Sequence, residues 1–198
     1  MYSSDCADVA GLILAGGRGR RFGGKDKGLE LWRGRTLTEH VIERLAPQVA
    51  NLAISCNRNR ETYARLNASA VVGDRRAGFQ GPLAGIEAYA TQVDAEFLAI
   101  APCDMPLLPY DLVPRLRRTL LAAEASTAAA CAFDGQREQY LCAIIRKPAL
   151  NTLAAYLDSG ERSVHGWLAR LGVERVDFSD RAANFKNINF EAKDPGAA

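Results

Sequence analysis

The sequence lacks the residue combinations that disulfide-stabilised and zinc-stabilised scaffolds need. Its 198 residues include only two histidines and five cysteines, an odd number. No two cysteines form a C-x-x-C pair, which argues against a structural zinc site as well as a disulfide framework. We therefore expect reduced, buried thiols. The five residues concerned are Cys6, Cys56, Cys103, Cys131 and Cys142.

Long hydrophobic runs and an excess of charge of either sign are also absent. The apolar runs are far shorter than the roughly 18 residues that a membrane span requires. Residues 1–8 are polar and acidic and do not resemble a signal peptide. Lys+Arg total 25 and Asp+Glu total 23, so the net charge of +2 gives no general attraction to nucleic acid or to anionic lipid. We expect a cytoplasmic protein that binds neither nucleic acid nor membranes.

The composition is that of a globular protein. Hydrophobic residues make up 48% and charged residues 24% of the chain. Domains commonly contain roughly 100–200 residues, and the sequence shows no repeat and no linker rich in proline or serine. We expect residues 1–198 to form a single domain, with residues 194–198 as a loose tail.

Short apolar runs alternate with longer amphipathic segments. Thr36 and Glu39 have capping-box spacing at the start of one such segment, and Asp134-Gly135 is a turn signal between two apolar runs. The alternation predicts an α/β fold whose sheet is mostly parallel, with a small antiparallel addition around that turn. The predicted strands are 10–14, 51–56, 70–73, 96–102, 127–133, 140–146 and 173–178, and the predicted helices are 36–48, 61–66, 82–92, 112–123, 148–158 and 163–171.

The most informative segment is residues 14–29 (LAGGRGRRFGGKDKGL), which begins where the first predicted strand ends. Its glycines and its concentrated basic side chains are what a triphosphate requires. A P-loop would have Ser or Thr where Asp26 follows Lys25, and a dinucleotide fingerprint would have glycine where Phe22 stands. The alternative is a solvated basic loop without a ligand.

Other polar residues follow predicted strands at the same edge of the sheet. Asp104, within residues 102–106 (PCDMP), is placed to hold Mg²⁺ between phosphates, although a turn aspartate that caps backbone N–H groups is the alternative. Asn57 and Asp74 have the chemistry to bind a base or ribose, and either can also be a turn residue. Residues 81–86 (GPLAGI) suit close packing of a ring or phosphate against backbone, or simply helix capping.

Taken together, these motifs resemble the molybdenum cofactor guanylyltransferase family. The similarity covers residues 14–29, departing there only at Phe22, where methionine is usual. It continues at Asn57, at Val72-Gly73-Asp74, and at residues 81–86 and 102–106. It extends to residues 160–162 and 176–178 and to Asn187-Ile188-Asn189, so it spans nearly the whole chain.

The resemblance implies a three-layer, Rossmann-like nucleotidyltransferase fold and a defined reaction. GMP would pass from GTP to molybdenum-bearing molybdopterin, with release of pyrophosphate and formation of the guanine dinucleotide cofactor. Mg²⁺ would be the metal. The N-terminal half would bind GTP and Mg²⁺, and the C-terminal half molybdopterin. Transient contacts with molybdenum insertion proteins and with chaperones of molybdoenzymes would follow from the handover of a labile cofactor.

The resemblance also implies roles for individual residues. Lys27 and Asp104 would be the catalytic pair, with Asp104 as metal ligand. The GTP-binding set, including three residues that we add from the glycine-bearing loops (Gly17, Arg21 and Gly81), is Leu14, Ala15, Gly16, Gly17, Arg21, Lys27, Asn57, Asp74, Gly81 and Asp104. The molybdopterin-binding set is Pro82, Leu83, Asn187 and Asn189.

Several other functions are compatible with the same motifs. The nearest are a cytidylyltransferase acting on molybdopterin and a nucleotidyltransferase acting on a sugar or alditol phosphate. Gly17 favours guanine, because cytidylyl relatives usually carry alanine there. A nucleotide sensor without catalysis and a structural adaptor are more distant alternatives. Departures from the family pattern at Gln139-Tyr140 and at Phe190-Glu191 concern the acceptor half of the chain.

Overall fold

The structure is a computed structural model that describes residues 6–17, 25–78 and 80–189. Its strands form a seven-stranded sheet and a separate two-stranded hairpin. They are β1 (Val9–Leu14), β2 (Leu31–Trp32), β3 (Arg35–Thr36), β4 (Asn51–Ser55), β5 (Ala70–Val72), β6 (Phe97–Pro102), β7 (Ala129–Phe133), β8 (Glu138–Arg146) and β9 (Val173–Asp177). The predicted tail at 194–198 lies outside the described residues.

The large sheet has the strand order β5-β4-β1-β6-β8-β7-β9. Its first four strands are parallel, β8 runs antiparallel to both β6 and β7, and β9 is parallel to β7. The β7–β8 turn uses Gly135 at φ +94°, a conformation that favours glycine. A mostly parallel sheet with an antiparallel addition is thus confirmed.

Helices cover both faces of the sheet and complete a three-layer structure. They are α1 (Leu37–Leu45), α2 (Arg60–Tyr63), α3 (Pro82–Ala90), α4 (Leu112–Ala122), α5 (Leu153–Asp158) and α6 (Val164–Arg170). Helices α1 and α4 share a core with one face of β1, and α3, α5 and α6 share a core with the other. Alternation along β1 places Ile13 in the first core and Leu12 in the second.

The predicted capping box begins α1. The Glu39 amide donates to Thr36 Oγ1 at 3.2 Å, and the Thr36 amide donates to the Glu39 carboxylate at 2.7 Å. Two donors that the helix would otherwise leave unpaired are thereby satisfied. The hydrogen bonds from Thr36 lower the pKa of Glu39 below its ordinary value.

Three local predictions need correction. The helix predicted at 61–66 is the single turn α2, because Asn59 and Asn67 adopt positive φ values of 51° and 53° on either side of it. The helix predicted at 148–158 divides into a 3₁₀ segment, Lys147–Thr152, followed by α5. The β2–β3 hairpin was not predicted, since two-residue strands leave no readable periodicity.

The cysteine and membrane predictions can also be compared with the structure. All five cysteines are buried and unbridged, as expected for structural thiols. Within the residues that the structure describes, no helix has the length and apolar character needed to cross a bilayer.

Candidate functional site

A cleft of about 330 Å³ opens at the carboxyl edge of the parallel strands. Open α/β sheets bind ligands at this edge. Its walls come from the end of β1 and the glycines after it, from β4 and β6, from the entrance of α3 and from β8. The lining residues are Leu14, Ala15, Gly16, Gly17, Lys27, Ser55, Asp74, Gly81, Pro82, Gly85, Pro102, Cys103, Asp104 and Leu141.

Strand register explains why distant residues meet in this cleft. Leu14 pairs with Ser55 of β4 and with Pro102 of β6, and Ser55 pairs with Val72 of β5. The four strands therefore end level with one another. The residues two positions beyond that line are Gly16, Asn57, Asp74 and Asp104. Every one of them was predicted from sequence as a site residue.

An ion pair closes one end of the cleft. Lys27 Nζ lies 2.5 Å from Asp104 Oδ2, although the two residues are 77 positions apart in sequence. Their side chains are about one-fifth exposed, at 18% and 20%, so the charges are shielded from bulk water but open to the cleft. The pair joins the glycine-rich loop to the turn after β6 and concentrates one cation and one carboxylate at a single point.

The opposite end of the cleft holds a second pair. Asn57 Nδ2 donates to Asp74 Oδ2 at 2.7 Å, and the Asp74 amide donates to Asn57 Oδ1 at 2.8 Å. Asp74 lines the cleft, whereas Asn57 stands behind it and fixes its orientation. Burial raises the pKa of the Asp74 carboxyl above its ordinary value; the Asn57 bond opposes this shift and the charge on Glu87 adds to it.

The C-terminal end of the glycine-rich loop is anchored from α2. Tyr63 donates its hydroxyl to Asp26 Oδ1 at 2.7 Å, and Asn59 Nδ2 donates to Asp26 Oδ2 at 3.0 Å. The Tyr63 hydroxyl also sits so close to Gly28 that a Cβ at that position would be 2.4 Å from it. The carboxylate of Asp26 thus orients the backbone that carries Lys27.

Arg58 ties together the two described ends of the same loop. Its Nη2 donates to the Gly17 carbonyl at 3.4 Å and to the Lys25 carbonyl at 3.3 Å. Arg21, predicted to contact the nucleotide, lies outside the described residues. Sequence reasoning did not identify Arg58, Asn59 or Tyr63. Their closeness in sequence to Asn57 was the available signal.

Helix α3 begins at the cleft wall. Gly81 precedes it at φ +85° and Pro82 occupies its first position, where the missing N–H is not needed. Both residues line the cleft. Leu83 is 0% exposed and packs in the core beneath α3, and its predicted contact with molybdopterin stays a prediction. Helical geometry points consecutive residues in different directions, so Leu83 faces the sheet.

The last described residues reach the Lys27–Asp104 pair. Lys27 Nζ donates to Asn189 Oδ1 at 2.8 Å, and the Ile188 amide donates to the Asp104 carbonyl at 2.9 Å. Asn187 Oδ1 is buried and has no hydrogen-bond partner. Of the two predicted asparagines, the structure places Asn189 directly on the ion pair.

The Asp104 carboxylate fits a magnesium ion whose other ligands come from a substrate and from water. Within the described residues there is no cluster of three or more His, Cys, Asp or Glu side chains suited to a metal. Mg²⁺ is commonly held by one or two carboxylates, with substrate phosphates and water completing the octahedron. Asp104, which faces the cleft next to Lys27, can supply such a carboxylate.

The neighbouring cysteine is not an activated nucleophile. Burial raises the pKa of Cys103 to about 12, and the charge on Asp104 adds to this shift. The thiol is therefore protonated at neutral pH and lacks the thiolate that covalent catalysis would need.

Comparison with known proteins places this site in a family context. The family model described as "MobA-like NTP transferase domain" matches residues 11–175. A molybdenum cofactor guanylyltransferase of Burkholderia ambifaria is 44% identical over 195 residues, covering 96% of this chain and 95% of its own. The corresponding protein of Shewanella halifaxensis is 42% identical over 183 residues, covering 92% and 90%.

Solved structures support the same fold. Molybdopterin-guanine dinucleotide biosynthesis protein A of Archaeoglobus fulgidus superposes with a TM-score of 0.73 at 23% identity, covering 93% of each chain. The 4-diphosphocytidyl-2C-methyl-D-erythritol synthase of Anaerococcus prevotii superposes with a TM-score of 0.67 at 12% identity, covering 93% of this chain and 92% of its own. At these identities the likeness concerns the fold alone.

The raised pKa of Asp74 predicts that its charge lowers the stability of the folded protein at neutral pH. At a pH above the folded-state pKa, the Asp74 carboxylate is charged in the folded and in the unfolded protein, and its desolvation destabilises the folded protein. When the pH falls below that pKa, the folded protein binds a proton at Asp74 before the unfolded protein does. The destabilisation then disappears. Asp74→Asn, which keeps an oxygen for Asn57, is expected to raise the free energy of unfolding at pH 7.

Urea unfolding across the pH range measures this effect. The difference between Asp74→Asn and the wild type should be largest at pH 7 and should shrink as the pH approaches 3.8, the ordinary value for aspartate. Asp94→Asn, at a fully exposed aspartate, is the matched control and should change little. A difference for Asp74→Asn that is constant with pH would contradict the assignment.

Proposed function

We propose a reaction for this chain on the premise that it belongs to the MobA-like NTP transferase family, whose model matches most of its length. The chain is a nucleotidyltransferase: a molybdenum cofactor guanylyltransferase that transfers GMP from GTP to molybdenum-bearing molybdopterin and releases pyrophosphate. Relatives of that name align along almost the full length of this chain and of their own.

The observation that carries the proposal is that two different pairs of polar side chains lie at opposite ends of the cleft. Lys27 and Asp104 stand at the β6 end, and Asp74 with its partner Asn57 stands at the β5 end. Neighbouring strands are about 4.8 Å apart, so the three steps from β5 to β6 span about 14 Å. This span suits a nucleotide whose base lies at Asp74 and whose phosphates lie at Lys27.

The glycines between these ends suit the backbone contacts that the proposal needs. The Ala15 amide already donates to the Ser55 carbonyl at 2.8 Å. Within the described chain, no hydrogen bond uses the amides of Gly16 or Gly17, which are the ones free to meet phosphate oxygens. A Cβ at Gly17 would meet no atom within 4 Å, so no described residue fills the space beside this glycine.

Nucleotidyltransferases of this kind commonly use a divalent metal, and we propose Mg²⁺ at Asp104. Bound there, Mg²⁺ would neutralise charge on the phosphates during transfer. Lys27 would contribute a second positive charge and would exchange Asp104 for a phosphate oxygen when GTP binds. Asp26 and Arg58 would keep the loop in position for that exchange.

Transfer proceeds in line and without a protein nucleophile. A phosphate oxygen of molybdopterin attacks the α-phosphorus of GTP and forms the new P–O bond. The bond from α-phosphorus to the bridging oxygen breaks, and pyrophosphate leaves with the electron pair. Because both reactants carry their own charged oxygens, the chain supplies position and charge stabilisation and not a proton.

The acceptor would approach from the side of Pro82 and the C-terminal asparagines. Asn189 Oδ1 accepts from Lys27 Nζ, and Asn187, two positions earlier, has a buried Oδ1 without a partner, so this oxygen would accept a hydrogen bond from an N–H of the pterin while Lys27 meets the phosphate. The two halves of the chain would then work as one domain, residues 1–198. Cytoplasmic location, and transient partners that deliver molybdopterin and receive the product, remain part of the proposal.

The transfer reaction itself is the test. Protein, Mg²⁺ and molybdenum-loaded molybdopterin are incubated separately with GTP, CTP, ATP or UTP, and the dinucleotide product is identified by mass. Product with GTP alone supports the proposal. Product with CTP alone would make the enzyme a cytidylyltransferase, and binding of GTP without transfer would favour another acceptor phosphate or a sensor.

Lys27→Ala is expected to lower turnover at least tenfold. A charge-assisted hydrogen bond to phosphate is worth about 1.5–3 kcal/mol, which corresponds to roughly a tenfold or larger change in rate. Steady-state pyrophosphate release measures the loss. Lys25→Ala, two positions away with a side chain 71% exposed, is the matched control and should retain turnover. Wild-type turnover in Lys27→Ala would remove this lysine from the mechanism.

Asp104→Asn is expected to shift the Mg²⁺ dependence of turnover to higher metal concentration. An amide oxygen is neutral and holds a hard divalent cation more weakly than a carboxylate. The measurement is a Mg²⁺ titration at saturating GTP, with Asp94→Asn as the control for removal of one carboxylate elsewhere. A titration midpoint equal to that of the wild type would exclude Asp104 as the metal ligand.

A further inference from the structure

A serine hydroxyl lies in the wall of the cleft with no partner of its own. Ser55, the last residue of β4, is only 2% exposed and lines the cleft. None of the hydrogen bonds in the part of the chain that the structure describes uses its Oγ, and this oxygen is not one of the fully buried unpaired atoms there. Its hydroxyl therefore opens onto the cleft, where a bound molecule can be its hydrogen-bond partner.

The helix opposite leaves room for this hydroxyl. Gly85 lies inside α3, where alanine is intrinsically preferred over glycine. A Cβ at Gly85 would be 2.3 Å from Ser55 Oγ and 3.1 Å from Ser55 Cβ. Glycine thus permits α3 to approach β4 closely while the serine keeps its oxygen at the cleft wall.

The position of Ser55 along the sheet edge indicates which part of a nucleotide it meets. Its strand lies between β5, which leads to Asp74, and β1, which leads to the glycine-rich loop. Lys27 and Asp104 are at the far side of β1, next to β6. Ser55 is therefore next to the end of the cleft that holds Asp74. It is farther from the end that holds Lys27 and Asp104, where the phosphates would bind.

The hydrogen-bond donors and acceptors at the Asp74 end of the cleft come from different side chains. The Asp74 carboxylate accepts hydrogen bonds only, and so matches the ring N–H and exocyclic amino group of guanine. Asn57 has its Nδ2 engaged with Asp74, which leaves the Ser55 hydroxyl as a donor for the remaining polar group of that edge, the keto oxygen. On the proposed function, we infer that Ser55 is a specificity-determining residue that donates a hydrogen bond to the keto oxygen of the guanine base.

The binding of three nucleotides distinguishes a hydrogen bond from Ser55 to the base from a purely structural role of this residue. GTP carries both the keto oxygen and the amino group, inosine triphosphate lacks the amino group, and 6-thioguanosine triphosphate replaces the keto oxygen with sulfur, a weak acceptor. The dissociation constant of each nucleotide is measured by calorimetry for the wild type and for Ser55→Ala. The expected result is a rise of roughly 3- to 10-fold for GTP and inosine triphosphate, and less than about twofold for the sulfur analogue.

Control variants keep the result interpretable. Ser69→Ala removes a serine whose Oγ accepts from the Leu52 amide at the opposite edge of the sheet, and it should leave all three constants unchanged. Ser55→Cys keeps a weak donor in nearly the same volume and should bind GTP with intermediate affinity. It also serves as the test variant if Ser55→Ala does not give a cooperative thermal transition.

Each other outcome overturns the inference. An equal loss for all three nucleotides would mean that Ser55 only supports the shape of the cleft. If Ser55→Ala weakened the binding of GTP but not of inosine triphosphate, the hydroxyl would contact the amino group of guanine. If Ser55→Ala did not weaken the binding of GTP, the hydroxyl would contact neither the amino group nor the keto oxygen. A wild type that does not bind GTP would contradict the proposed function itself, and so is distinguished from a failure that appears only in the variants.

Discussion

The site depends on the register of four parallel strands. Leu14, Ser55, Val72 and Pro102 end on one line, and each strand places its next polar or flexible position two residues beyond that line. Residues separated by up to 88 positions in sequence, from Gly16 to Asp104, are thereby brought to one edge without any of them having to reach far. The hydrophobic cores on the two faces of the sheet favour this register, because a slip of one residue would move every side chain of the slipped strand into the opposite core.

On that edge, charge is distributed so that, on the proposed function, one end would attract phosphate and the other would recognise a base. Lys27 belongs to the loop after β1, Asp104 to the turn after β6, and Asn189 to the C-terminal segment, so a single lysine joins three distant parts of the chain. Asp74 is held in a less solvated position, and burial raises its pKa. A half-buried, oriented carboxylate lowers stability, and on the proposed function it would serve recognition, which is the usual compromise at functional sites.

Much of this could be predicted from the residues. The alternation of apolar runs and amphipathic segments, the Thr36–Glu39 capping box and the Asp134-Gly135 turn predicted the layers and the antiparallel addition. Polar residues after strands predicted Asp74 and Asp104. Arg58, Tyr63 and Ser55 could not be found in this way, because their roles arise from distances to segments far away in sequence. The burial of Leu83 beneath α3 could not be predicted either, because its place in a motif did not reveal which way the helix turns it.

The orientation of the bound nucleotide tests the account most directly. We would determine the crystal structure of the protein with GTP and Mg²⁺ in the absence of the acceptor. The account predicts the guanine beside Asp74 and Ser55, the phosphates within hydrogen-bond distance of Lys27, and the metal on Asp104. A nucleotide bound in the reverse direction, or outside the cleft between β5 and β6, would contradict it.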